Sequence, residues 1–274
     1  MKPAAFTYHA PRTVEEALAL LGEWGPREGR VLAGGQSLVP AMALRLATPA
    51  HLIDINDIAA LRILQPEKGW LRIGAGVRHS AFEQPVVAGP LGQLLATVVR
   101  HVAHHPIRTR GTFCGSLAHA DPASEWCLVA ATLDAELVAR SVRGARTIAA
   151  ADFFSGVMTT ALAPDELLVE ARLPLLAAGT RFGFHEFSRR AGDFAIAMAL
   201  VVRGEETRIG VGGAEARPRR IPEAEAALAR GSIDDAAGAA AHAVVALSDP
   251  RYSGDYRRDL VRTVVRRALE QAGA

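Results

Sequence analysis

The residues of this sequence best placed to do chemistry sit in two short glycine-bearing turns. The first is Val31-Leu32-Ala33-Gly34-Gly35-Gln36-Ser37-Leu38, where an apolar run meets a double glycine and passes directly into a helical pattern. Such a turn leaves backbone N–H groups without partners, and glycine lets an anion approach them closely. Ser37 is placed either to cap the helix or to donate its hydroxyl to a phosphate. The second is Arg110-Gly111-Thr112-Phe113-Cys114-Gly115-Ser116, continuing to Asp121 and Pro122. Thr112 and Ser116 bring hydroxyl donors, Gly115 permits close approach, and arginines lie nearby. Taken alone, each segment also reads as an ordinary turn. Neither follows the GxGxxG dinucleotide pattern, and Gly74-Ala75-Gly76 and Gly210-Val211-Gly212 lack its third glycine.

Other chemistries find less support. Lys2 and Lys68 are the only lysines, and neither sits in a phosphate-binding P-loop motif. Two cysteines, Cys114 and Cys127, are too few for the four thiolates of an iron–sulfur cluster or for a disulfide framework. Cys114 has no base beside it and reads as a small filler rather than a nucleophile. His101, His104 and His105 have helical i, i+3, i+4 spacing, but without a neighbouring carboxylate they read as cations closing a helix before Pro106. With 31 basic and 29 acidic residues, the chain has no charge excess that would mark a nucleic-acid or membrane-surface binder. No apolar run is long enough to span a bilayer and no leader is visible, so a soluble cytoplasmic protein is expected.

The elements around these turns change character along the chain. Thr13 and Glu16 form a capping-box pattern opening a helix over 14–21. Strands are expected over 30–33, 51–55 and 70–77, and helices over 38–46 (Pro40 in its first turn) and 92–103. The stretch 107–122 reads as irregular, and 125–133 as a buried helix. Beyond about residue 178, strand-like runs at 181–189, 194–203 and 207–212 are followed by helices at 222–229, 233–247 and 255–271, which suggests a separate α+β unit. The last helix gathers Leu260, Val261, Val264, Val265, Ala268 and Leu269 on one face and sends most of its arginines elsewhere.

At this level the chain resembles a known family. AGGQSLVP, LIDIND, WLRIGAGV, RTRGTFCGSLAHADPASEW, DELLVEARLP and FSRRAGDFAIAMALVV occur in that order. Together with the closing RRDLVRTVVRRAL they resemble the FAD-binding medium subunit of molybdenum hydroxylases, the group with aerobic carbon monoxide dehydrogenase and the flavin domain of xanthine dehydrogenase. The resemblance implies an α+β fold. Residues 1–176 would form a flavin-binding region of two α+β subdomains, like that of vanillyl-alcohol-oxidase type proteins. Residues 177–274 would form a smaller domain with a three-stranded antiparallel sheet and a helical bundle.

The same resemblance implies the site. Ala33, Gly34, Gly35, Gln36 and Ser37, flanked by Val31, Leu32 and Leu38, would form one arm around the FAD diphosphate. Thr112, Phe113, Cys114, Gly115 and Ser116 would form the other, largely through backbone. Glu125 and Asp121 would stand near the nucleotide end. Val102, Ala103 and Leu168 would line the cofactor channel, and His185, Glu186, Asp193 and Phe194 would approach from the C-terminal domain. Cys114 replaces a glycine of the usual turn, and Glu186 stands where some relatives carry lysine, a charge that His185 would supply instead. Phe194 would either meet the flavin ring or serve as a strand core residue.

No acid, base or nucleophile is assigned to this chain. The implied function is electron transfer from [2Fe–2S] clusters of a small subunit through FAD to an external acceptor, beside a molybdopterin large subunit, in a dimer of heterotrimers. A self-sufficient FAD-dependent oxidoreductase and a cofactor-free scaffold subunit are the alternatives.

Overall fold

The structure is a computed structural model describing residues 2–273. Its first sheet is parallel, in the order β1 (Thr7–His9), β3 (His51–Asp54), β2 (Gly29–Leu32). The expected capping box forms at Thr13 and opens α1 (Val14–Trp24), whose Val14, Ala17, Leu18 and Leu21 are buried. From β2 the chain enters α2 (Leu38–Ala43), which stops short of the expected end because Arg45 turns to a left-handed φ of 58°.

The second sheet is antiparallel, in the order β4 (Leu64–Glu67), β5 (Trp70–Gly74), β10 (Leu167–Pro174), β6 (Glu136–Ser141), β7 (Gly144–Ala149). Between β5 and β6 lie α3 (Pro90–Val98), α4 (His105–Arg108), α5 (Phe113–His119) and α6 (Glu125–Thr132). Short α7 (Ala150–Phe153) and the hairpin β8 (Phe154–Gly156) and β9 (Thr159–Thr160) complete this half.

Two expectations fail here. The stretch read as irregular holds α5, opened by the Thr112 hydroxyl, which accepts from the Gly115 amide at 3.1 Å. The three histidines do not share a helix. α3 ends at Val98, Ala103 turns to a φ of 42°, and His105 with Pro106 opens α4, so the helix is broken between His101 and His105. They therefore neither cluster on one face nor close a helix as cations.

The third sheet, β11 (Arg181–Phe187), β12 (Ala197–Arg203), β13 (Thr207–Gly212) and β14 (Arg219–Arg220), is antiparallel and carries one two-residue strand beyond the three expected. Helices α8 (Pro222–Arg230), α9 (Ile233–Ala243) and α10 (Gly254–Gln271) follow. β12 is buried on both faces. Met198, Leu200 and Val202 join the core of the first half, while Ala197, Ala199 and Val201 join a second core with α9 and α10. α6, with all eight residues buried, lies against the face of this sheet that carries Met198, Leu200 and Val202. The apolar face of α10 is buried as expected, but Arg257 is not on a solvated face: it donates to the carbonyls of Ile196 and Gly213 and pairs with Asp249.

Candidate cofactor cleft

Parallel pairing of β2 with β3 delivers the first glycine turn. The Ile55 amide donates to the Leu32 carbonyl at 3.0 Å, and Asn56 Nδ2 donates to the Ala33 carbonyl at 2.7 Å. The second turn is delivered by the segment after β5, where the His79 amide donates to the Gly111 carbonyl and the Phe113 amide to the Val77 carbonyl. The two turns meet. A Cβ built on Gly34 would collide with the Arg110 carbonyl and lie 2.6 Å from the Gly111 Cα, and one on Gly115 would lie 3.9 Å from the Ala33 side chain. Arg78 ties them from behind, its guanidinium donating to the Arg110 carbonyl and, at 2.5 Å, to Asn56 Oδ1.

What the turns present is a set of donors. Among the described residues, the amides of Gly34, Gly35, Gln36, Ser37, Thr112 and Cys114 donate to no protein acceptor. Gln36 shapes its own turn by donating from Nε2 to the Gly34 carbonyl at 2.9 Å, and Gly35 holds a φ of 73° that side chains disfavour. Ser37 does not cap α2 through its side chain, which leaves its exposed hydroxyl free. Burial together with Arg110 and Arg62 holds the Arg78 guanidinium below its usual value, a sign of crowded positive charge. Free amides beside crowded guanidiniums suit a diphosphate. The side chains of Phe113 and Cys114 are buried in the core, so this arm acts through its backbone. Burial pushes the Cys114 thiol far up, which agrees with a filler and not a nucleophile.

Away from the turns, the remaining candidate residues lie towards the seam with the third sheet. Val102 is buried and Ala103 half-buried, and Arg108 clamps both carbonyls at 3.1 Å while its Nε bonds Glu83. The loop after β11 closes on this segment, since a Cβ on Gly192 would lie within hard contact of the His104 ring. On that loop Asp193 pairs with Arg189 at 3.7 Å. Phe194 is 70% exposed and precedes β12, which removes the strand-core reading for it. Glu125 opens α6 with 8% exposure, and burial with Asp121 nearby pushes its carboxyl up to about 7. The side chain of Glu186 is 3% exposed, and burial with Glu125 pushes it up to about 8. His185 does not supply the charge expected of it: it turns to the opposite face of β11, meets Arg267 at 3.1 Å, and is held below its usual value by burial. Leu168 sits in the core beside the irregularity between Leu168 and Glu170.

Sequence reasoning missed Asn56, Arg78, His79 and Arg108. Asn56 stands in the quoted LIDIND segment, two residues beyond the end of β3, and that position was the available signal. His79 had none: it is 4% exposed and accepts from Trp126 Nε1 at 2.9 Å, while a Cβ on Gly111 would lie 2.5 Å from its Nε2.

Comparison with known proteins agrees with this geometry. The family described as the FAD binding domain in molybdopterin dehydrogenase matches residues 4–176, and the CO dehydrogenase flavoprotein C-terminal domain matches residues 182–272. The nicotine 6-hydroxylase medium subunit of Paenarthrobacter nicotinovorans is 39% identical, with 100% of this chain and 99% of that protein covered. The carbon monoxide dehydrogenase medium chain of Hydrogenophaga pseudoflava is 36% identical over 100% of this chain and 99% of its own length. A solved structure of carbon monoxide dehydrogenase from the same organism matches with a TM-score of 0.93 at 37% identity, covering 100% of this chain and 99% of that one. The chain belongs to the FAD-binding medium subunits of the molybdopterin dehydrogenase family.

Proposed function

We propose that the cleft holds FAD and that the chain works as the electron-transfer subunit of a molybdenum hydroxylase complex. The observation that carries this reading is the direct contact of the two glycine turns, with unpaired amides on both and Arg78 binding them together. The amides of Gly34 to Ser37 and of Thr112 and Cys114 would hold the diphosphate. Val102, Ala103, Leu168, Asp121, Glu125, Glu186, Asp193 and Phe194 would border the rest of the cofactor. FAD supplies the redox chemistry, accepting electrons singly from iron–sulfur clusters and releasing them in pairs. The chain's own work is to bind, orient and exclude water: Gln36 and Gly35 hold the first turn's shape, Thr112 caps the second, and Arg108 fixes the backbone of Val102 and Ala103.

The named relatives are the medium subunit of a nicotine 6-hydroxylase and the medium chain of a carbon monoxide dehydrogenase. We take this chain's partners to be an iron–sulfur small subunit and a molybdopterin large subunit, assembled as a dimer of heterotrimers in the cytoplasm. Among the described residues, no helix is long and apolar enough to cross a membrane. The chain is taken to divide into a flavin-binding region, residues 1–176, and a C-terminal domain, residues 177–274.

The test is to purify the chain with its native partners and record the visible spectrum during anaerobic addition of candidate substrates. Flavin bleaching in the complex, with none in the isolated chain, supports the reading. Turnover by the isolated chain would replace it with a self-sufficient oxidoreductase, and a colourless chain unaffected by added FAD would make it a scaffold.

A further inference from the structure

Behind the second glycine turn lies an aromatic cluster. The short helical turn His79–Glu83 supplies His79 and Phe82, the glycine turn supplies Phe113 and α6 supplies Trp126, and all four side chains are buried. Between ring centroids Phe113 stands 5.6 Å from Phe82 and 5.0 Å from Trp126, and Trp126 stands 5.3 Å from Phe82 and 6.3 Å from His79. The polar link in this cluster runs from Trp126 Nε1 to His79 Nδ1 at 2.9 Å. Among the described residues, the buried side-chain atoms left without a partner are Glu186 Oε2 and Arg257 Nε, and only His79 keeps the Trp126 N–H from joining them.

An indole nitrogen can only donate, so His79 Nδ1 accepts and the neutral ring carries its proton on Nε2. The Cδ2–Nε2 edge of that ring covers Gly111, where a Cβ would lie 2.5 Å from Nε2 and 2.6 Å from Cδ2. The His79 amide also donates to the Gly111 carbonyl at 2.9 Å, and Arg78 pairs with Thr112 as an isolated bridge. His79 thus fixes the residue before Thr112, and the aromatic cluster fixes Phe113 after it. The charges around the ring oppose an imidazolium. Burial first, then Arg78 and Arg108, hold His79 down to about 4, and the glycine turn itself carries Arg110. Glu83, on the same helical turn, is taken up by Arg108 and His105. On α6 the neighbour of Trp126 is Glu125, whose carboxyl burial pushes up to about 7.

We propose that His79 is the positioning residue of the second arm, its neutral ring wedged between Trp126 and Gly111 so that the free amides of Thr112 and Cys114 stay in register with those of the first arm. This rests on the reading of the two turns as the FAD site. His79 acts through the backbone of the arm and needs no contact with the cofactor. Protonation would place an N–H on Nδ1 against the Trp126 N–H, and two donors cannot bond each other. The ring would then leave its place over Gly111 and the arm would loosen. Retention of FAD is thereby tied to a neutral His79.

The experiment takes the full chain loaded with FAD and its H79N, H79F and H79F/W126F variants. It reads FAD release by flavin fluorescence against pH, and the His79 tautomer by nitrogen NMR. H79N keeps an acceptor for Trp126 but removes the ring edge over Gly111, and is expected to release FAD about thirtyfold faster at neutral pH. H79F keeps the edge but removes the acceptor. Its release should be about threefold faster, and adding W126F should reverse that change. Wild-type release should quicken about tenfold as pH falls from 6.5 to 4, and both single variants should lack that acceleration. No acid acceleration in the wild type, one kept by H79F, or equal release from H79N and H79F overturns the proposal. Should neither variant fold, the wild-type spectrum decides: a proton on Nε2 alone at neutral pH supports it, and one on Nδ1 overturns it. A wild-type chain that takes up no FAD refutes the cleft reading instead. Hydrogen exchange at the Thr112 amide of the FAD-free chains then tests His79: faster exchange in H79N supports the positioning role, and equal exchange overturns it.

Discussion

A methyl group at Gly34 would land on the Arg110 carbonyl, so the absence of a side chain there is what lets the two arms touch. Gly34→Ala is expected to push the arms apart at a cost of about 1–3 kcal/mol and to leave a folded protein that has lost its FAD, checked by circular dichroism and flavin absorbance. Titratable residues at this scale pull in opposite directions. Glu125 and Glu186 hold their protons up to about 7 and 8, against a usual 4.5. Their contribution to the stability of the FAD-free protein is therefore fully present below about pH 4.5 and is lost as pH rises through 7 to 8. His79, held down to about 4 by burial and by Arg78 and Arg108, works the other way. Its contribution is present above its unfolded value of 6.5 and is lost as pH falls toward 4, at most about 3 kcal/mol. Denaturation midpoints of FAD-free protein against pH should show both limbs, the alkaline one flattened by E186Q and the acid one by His79→Gln. An unchanged alkaline limb in E186Q would mean that Glu186 ionises normally.

Among the elements, α5 shows how a cleft arm can be a helix that does not look like one. Its sequence, FCGSLAH, is short and rich in residues of weak helix propensity, and it is held by the Thr112 cap and by its packing on α6, β10, β5 and β9. Thr112→Ala should cost about 1 kcal/mol in chemical denaturation and raise the rate of FAD release, whereas Thr112→Ser should be close to wild type. Equal FAD release from both variants would show that the cap does not set the arm. In contrast, α1 was legible because its two capping residues sit three apart, and α6 because an unbroken apolar run needs no knowledge of its surroundings. The histidines 101, 104 and 105 misled for the matching reason: helical spacing is only informative while the chain stays helical, and here α3 ends at Val98 and Ala103 takes a left-handed φ.

For the molecule as a whole, β12 ties the two halves together, since its alternate residues complete two different cores. Residues 2–273 should therefore unfold in a single cooperative transition that shifts upward with added FAD, and a chain ending at residue 176 should aggregate because the face of α6 that meets β12 and β13 would be bare. Two calorimetric transitions in the intact FAD-free protein, or a soluble folded fragment, would count against a shared core. By itself the order of residues determined the periodic elements, the two glycine turns and, through six motifs in register, the family. These are local facts, set by propensity, capping and spacing along the chain. Only the folded chain decided that the turns touch, that Asn56 and Arg78 join them, that Arg257 is buried and that Glu186 lacks a donor. Each depends on groups tens of residues apart being brought within a few ångströms, and burial, which sets their charge states, exists only once the core has closed around them.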